Sequence, residues 1–157
     1  MIRVYVVDDE KLVRRGIIGL IDWEKYDMEV VGDSGSSEEA LRFLGEKGAD
    51  ILFSDLEMPG LSGIPFLQQV RQSFPGLQLV VLTMHQEFEL IQQALRIGIL
   101  DYITKAQIEE ENVDVFMQGV RKRYLEVQRH CQRRERKVEG ETVYVWELPD
   151  FYQAQAA

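Results

Sequence analysis

The sequence predicts an α/β protein, a three-layer α/β/α sandwich around a five-stranded parallel sheet. Three observations predict it. Short β-branched runs alternate with amphipathic stretches through residues 1–125, the connections between them are short, and the runs at 4–7, 50–54 and 77–82 are apolar nearly throughout. Strands alternating with helices on short loops form β–α–β units with right-handed crossovers. Strands apolar on both sides belong inside a parallel sheet covered on both faces.

Taken in order, residues 4–7 read as the first strand, and a helix starting near Lys11 carries an apolar stripe at Val13, Ile17, Leu20 and Ile21. Residues 28–31 are the second strand. The second helix starts at Ser36-Ser37-Glu38-Glu39, a serine cap with acids in the first turn, where free N–H groups favour both. Residues 50–54 are the third strand, and 63–73 a helix carrying Phe66, Leu67 and Val70. A fourth strand at 77–82 precedes a helix over 86–97 carrying Phe88, Ile91 and Leu95. The fifth strand is 100–104. A long fifth helix is predicted over 112–137, with a stripe at Val113, Met117, Val120, Tyr124, Val127 and Cys131. Residues 142–148 read as one more strand. The division expected is a domain over 1–125 and, over 126–157, a helical extension and linker or tail toward an output domain, the helix being long enough to project and pair with a second copy or to serve as that linker.

The chain has 157 residues, 45% apolar and 29% charged, enough for one packed domain. Its longest apolar runs are four residues, which argues against a membrane span, and the N-terminus has no secretory pattern. Cys131 stands alone, so neither an internal disulfide nor a cysteine zinc cage is available, and a cytoplasmic protein is expected. Charge is uneven: residues 1–112 hold 10 basic and 20 acidic residues, while 113–157 hold 8 and 7. An acidic body repels phosphates, so no nucleic acid is expected on it. The basic run at 121–137 reads as a solvated face.

Parallel sheets of this kind carry their chemistry beyond the carboxyl ends of the strands. There the sequence places Asp8, Asp9 and Glu10 after strand 1, Asp55 after strand 3, Thr83 after strand 4 and Lys105 after strand 5. Each alone has an ordinary explanation as a cap or a solvated charge. Together they bring three carboxylates, a hydroxyl and an ammonium to one edge. Three adjacent carboxylates stay ionised only beside a cation, and oxygen ligands of this kind suit Mg²⁺. A carboxylate such as Asp55 attacks phosphorus to form an acyl phosphate, with Lys105, Thr83 and the metal neutralising the phosphoryl oxygens.

Over residues 2–125 the sequence resembles the receiver domain of two-component response regulators. The resemblance rests on Val-Tyr-Val-Val-Asp-Asp-Glu at 4–10, Asp-Ile-Leu-Phe-Ser-Asp-Leu-Glu-Met-Pro-Gly-Leu-Ser-Gly at 50–63, Thr83, and Asp-Tyr-Ile-Thr-Lys at 101–105. It implies the flavodoxin-like strand order 2-1-3-4-5 and phosphorylation of Asp55 by a sensor histidine kinase. It also implies Mg²⁺ held by Asp9, Asp55 and the backbone carbonyl of Glu57, with Asp8 acting through a water. Thr83 and Tyr102 are then the switch that changes the surface of the fourth helix, fifth strand and fifth helix. That surface, or the fifth helix, would pair two copies. Residues 21–24 and 85–89 further resemble regulators with an AraC-type output domain. DNA binding would belong to that output domain, in a longer transcriptional regulator, with no membrane involved.

Two positions depart from the pattern. Ala106 stands where the family usually has a cis-proline, so a trans bond is expected and the reach of Lys105 is open. Met84 replaces a small residue and is expected to slow phosphoryl exchange, while Glu57 and His85 are expected to tune phosphoryl lifetime. Three other readings compete with the receiver. A haloacid-dehalogenase-like phosphatase wants an aspartate where Glu57 stands. A nucleotide binder wants a phosphate loop where Asp8-Asp9-Glu10 stands. A degenerate receiver, signalling by contact alone, would not need the intact acidic set.

Overall fold

The computed structural model describes residues 1–56, 63–83, 88–108, 113–130, 133–138 and 141–146. Five strands, β1 (Ile2–Val7), β2 (Met28–Ser34), β3 (Ile51–Asp55), β4 (Gln78–Thr83) and β5 (Asp101–Thr104), form one parallel sheet in the order β2-β1-β3-β4-β5. Between them lie α1 (Lys11–Leu20), α2 (Ser37–Glu46), α3 (Gly63–Ser73) and α4 (Phe88–Ile97), with a 3₁₀ turn at Trp23–Tyr26. A one-turn helix α5 (Lys105–Ile108) and the longer α6 (Val113–His130) follow β5. The predicted sandwich and strand order are those observed.

Alternate side chains of each strand feed opposite faces, as the period of two requires. Val4, Val6, Phe53, Val80 and Leu82 pack with Ile17 of α1 and with Met117, Val120, Tyr124 and Val127 of α6. Tyr5, Val7, Leu52, Leu79 and Val81 pack with Ala40 and Leu44 of α2, Phe66, Leu67 and Val70 of α3, and Ala94 of α4. Burying strand residues on both faces explains why β3 and β4 carry only Ser54 and Gln78 as polar residues before their last positions.

Ser36 caps α2 as its sequence suggests, its hydroxyl accepting from the Glu39 N–H at 3.1 Å. β2 runs three residues past its predicted end because a register shift at Val4/Tyr5 carries the pairing on to Val7↔Ser34. Gly32 makes that possible: a Cβ there would lie 2.9 Å from the Tyr5 ring and 3.0 Å from that of Phe43.

The predicted helix over 112–137 requires correction. α6 ends at His130, and residues 133–138 form a strand, β6 (Arg133–Val138), paired antiparallel with β7 (Glu141–Trp146). The strand expected at 142–148 is therefore half of a hairpin, β7 ending at Trp146. Two causes act together. The stripe from Met117 to Val127 already covers the sheet, each member being buried, so little further burial is left to favour helix. Arg133, Arg136 and Lys137 would be like-charged neighbours at three and four residues on a helix, whereas β7 offers the same segment a full ladder of partners. The 18 residues of α6 span about 27 Å, and its buried stripe runs almost to its end.

Candidate functional site

Strand register builds the site. Val7 pairs with Ser54, Asp55 with Leu82, and Thr83 with Thr104, so the last residues of β1, β3, β4 and β5 end at one edge. Just past it, Asp8, Asp9 and Asp55 converge: one carboxylate oxygen from each lies within 4.8 Å of the others. Oxygens on an octahedral Mg²⁺ stand about 2.9 to 4.2 Å apart at metal–oxygen distances of about 2.0–2.1 Å, so this all-oxygen trio has the chemistry for a small divalent cation and would draw together around one. Asp8 and Asp55 are buried, whereas Asp9 faces solvent.

Lys105 completes the cluster. Its Nζ lies 2.8 Å from Asp8 Oδ2 and 3.1 Å from Asp55 Oδ2, with the side chain itself buried. Burial opposes the ammonium form, but the hydrogen bond to Asp8 and the charges of Asp55 and Asp8 outweigh it and hold the Lys105 pKa above its ordinary value. The described peptide bonds are all trans, and Ala106 lets α5 begin directly at Lys105. The one-turn helix is held by a reciprocal cap. Thr104 Oγ1 accepts from the Gln107 N–H at 3.3 Å, while Gln107 Oε1 accepts from the Thr104 N–H at 3.1 Å. This Thr-x-x-Gln box, readable in the sequence but passed over there, sets the first residue of α5 against the carboxylates.

Asp8 is held through its backbone and through its carboxylate, Oδ2 by an ion pair alone. Its N–H donates to the Ser34 carbonyl at 3.1 Å, Oδ1 accepts from the Glu10 N–H at 3.0 Å, and Oδ2 meets Lys105. Its carbonyl accepts from Arg14 at 2.6 Å. Arg14 was not among the residues singled out by sequence, because a lone arginine on a helix carries no local signal.

Thr83 is buried at the end of β4, beside Thr104 and one residue beyond the partner of Asp55. Tyr102, on β5, is 37% exposed, so its ring lies outward. Glu57, Met84 and His85 lie outside the described residues. Among the described residues, then, the structure brings together Asp8, Asp9, Asp55 and Lys105, with Thr83 on the same edge and Tyr102 outside it.

The remaining ionisable contacts tie the body to α6. The Tyr26 hydroxyl donates to Asp114 at 2.6 Å, and Lys25 pairs with the same carboxylate at 2.7 Å. Burial, then the hydrogen bond to Asp114, pushes Tyr26 up to about 12. The Lys25 and Tyr26 hydrogen bonds hold Asp114 below its usual range. Arg123 of α6 pairs with Asp101 at the start of β5.

Comparison with known proteins places these features in context. Residues 4–116 match the family described as the response regulator receiver domain. Over 113 residues the chain is 30% identical to the response regulator UvrY of Escherichia coli, covering 72% of this chain and 51% of that protein. The REC domain of AraT, a response regulator from Geobacillus stearothermophilus, superposes with a TM-score of 0.70 at 30% identity, covering 81% of this chain and 98% of that one. A LuxR-family two-component response regulator from Aurantimonas sp. SI85-9A1 superposes with a TM-score of 0.65 at 30% identity, over 76% and 86% of the two chains. The chain spans about half the length, or less, of the curated relatives it matches. The AraC-type output suggested by residues 21–24 and 85–89 finds no support among these relatives. Trp23 of that segment is buried edge-on against Phe53, 5.3 Å between centroids, with its N–H donating to the Ile18 carbonyl.

Proposed function

This chain belongs to the response regulator receiver domain family, and from that premise we propose that Asp55 is its phosphoacceptor, charged by a sensor histidine kinase and assisted by Mg²⁺. The observation that carries the reading is the convergence of Asp8, Asp9, Asp55 and Lys105 on one sheet edge. In the transfer, an Asp55 carboxylate oxygen forms a bond to phosphorus as the bond from phosphorus to the donor's imidazole nitrogen breaks, leaving an acyl phosphate. Asp8, Asp9 and Asp55 would hold Mg²⁺, together with the Glu57 carbonyl; the bound ion supplies charge neutralisation at the phosphoryl oxygens. Lys105, already beside Asp55, neutralises a further oxygen, and the Thr83 hydroxyl donates to another. The chain acts as a switch rather than as an enzyme on a separate substrate.

In this reading the outward Tyr102 ring turns inward when Thr83 moves toward the phosphoryl group. The surface that changes comprises α4, β5 and α6, where Phe88, Leu95 and Tyr102 are exposed. Pairing of two copies through that face, and control of transcription by an output domain elsewhere in a longer protein, complete the proposal. No described helix is long and apolar enough to cross a membrane.

Intact mass tests it. Incubation with acetyl phosphate is expected to add one phosphoryl group in Mg²⁺ and none in EDTA, and Asp55→Asn is expected to gain nothing. Modification that persists in Asp55→Asn overturns the assignment. Sedimentation before and after phosphorylation tests the pairing, which a monomer in both states overturns.

A further inference from the structure

We infer that Arg14 is a positioning residue for the carboxylate site, clamping the β1–α1 turn so that Asp8 and Asp9 are presented together. The inference rests on the metal reading given above. Arg14 lies on α1, away from the carboxylate oxygens that would meet an ion, and it grips the site from behind. Its guanidinium donates to the Asp8 carbonyl at 2.6 Å and, through Nε, to Asp33 Oδ2 on β2 at 2.7 Å. The side chain is 13% exposed and Asp33 is 40% exposed, so the arginine is sequestered while its anchor reaches solvent.

The surroundings are shaped for this grip. Gly35 follows β2, and a Cβ there would lie 3.0 Å from the guanidinium, so a bulkier residue would displace it. The Asp8 N–H is held by Ser34 of the same β2 end. Two independent bonds thus tie residue 8 to the end of β2, one through its N–H and one through its carbonyl. The peptide planes on either side of Asp8 are thereby set, the second of them by Arg14, and with it the direction in which Asp9 leaves the turn. A planar fork reaching two acceptors at once is a task for arginine, since lysine offers a single nitrogen.

Position and charge pull in opposite directions here, which makes the inference testable by sign. A cation near three carboxylates weakens binding of a second cation, so removing Arg14 would tighten Mg²⁺ if charge alone mattered. Loss of a residue that orients metal ligands commonly weakens metal affinity by about 10–100-fold.

The test is calorimetric titration of the whole chain with MgCl₂, independent of phosphorylation. Arg14→Ala is expected to weaken Mg²⁺ binding by about tenfold, with Arg14→Lys falling between it and the wild type. Asp33→Ala, which keeps the arginine and removes its anchor, is expected to weaken binding in the same direction by a smaller factor, and it serves where Arg14→Ala fails to fold. Unchanged or tighter Mg²⁺ binding in Arg14→Ala, or in Asp33→Ala where that variant stands in, overturns the inference and leaves the metal reading intact. A wild-type chain that does not bind Mg²⁺ overturns both.

Discussion

The Lys105 ammonium lies 3.1 Å from Asp55 Oδ2 across fifty residues of chain, and 2.8 Å from Asp8 Oδ2 across nearly the whole domain. One buried cation therefore serves two buried carboxylates, and a third carboxylate stands beside them at Asp9. The balance of that cluster governs stability as well as chemistry.

Lys105→Met leaves the buried Asp8 and Asp55 carboxylates without their shared cation. Breaking a buried pair by removing one partner costs about 3–5 kcal/mol. Urea unfolding in EDTA is expected to show a loss of that order, part of which MgCl₂ restores because an ion bound only by the folded state stabilises it. A loss unaffected by Mg²⁺ would argue that the carboxylates do not hold the ion.

Asp9→Asn is expected to act in the opposite sense. Asp9 faces solvent and adds a like charge within 4.8 Å of its neighbours, a repulsion of about 1 kcal/mol in a largely aqueous setting. The variant should unfold at higher urea than the wild type in EDTA. In MgCl₂ the advantage should shrink or reverse, because the wild type gains from the ion and the variant does not.

Gly63→Ala tests the geometry behind Asp55. Gly63 has φ of 61°, and a Cβ there would lie 2.8 Å from the carbonyl oxygen of Leu56, the residue after the phosphoacceptor candidate. A left-handed backbone on a residue with a side chain costs about 1–2 kcal/mol, and the backbone contact has no flexible side chain to relieve it. A total loss of about 2–3 kcal/mol is expected, with slower phosphorylation in the mass assay because Leu56 must shift.

Alkaline pH should unlock the contact between the 3₁₀ turn and α6. Tyr26 is pushed up to about 12 by burial and by its hydrogen bond to Asp114, and Tyr124 to about 12 by burial first and the Asp50 charge second. Tyrosine in an unfolded chain ionises near about 10. The stabilisation is therefore complete below about pH 10 and is lost as pH rises from there through about 12. Urea midpoints should fall across that window. Tyr26→Phe should start lower by about 1 kcal/mol at neutral pH and fall less steeply. At the acid end, Asp114 acts with the opposite sign: its contribution is present above its ordinary pKa near 3.8 and fades as pH drops below it.

Much of this molecule was legible from residue order alone. Strands and helices show themselves through periods of two and of three to four, which are local, and the apolar runs at 50–54 and 77–82 announced a sheet covered on both sides. The carboxyl-end rule singles out Asp8, Asp9, Asp55, Thr83 and Lys105 from residue order alone. The end of α6 was not legible in the same way. A stripe continuing to Cys131 favours more helix, and the pairing of β6 with β7 competes with it across a turn that residue order does not announce.

What tertiary structure alone decided is who shares whom. That one lysine bridges Asp8 and Asp55, and that Arg14 holds the Asp8 carbonyl from Asp33 across the β1–α1 turn, depends on the register of neighbouring strands rather than on any local pattern. Periodicity determines which side of a strand a residue faces. Distances between charges fifty or a hundred residues apart follow only once Val7 stands beside Ser54, Asp55 beside Leu82 and Thr83 beside Thr104.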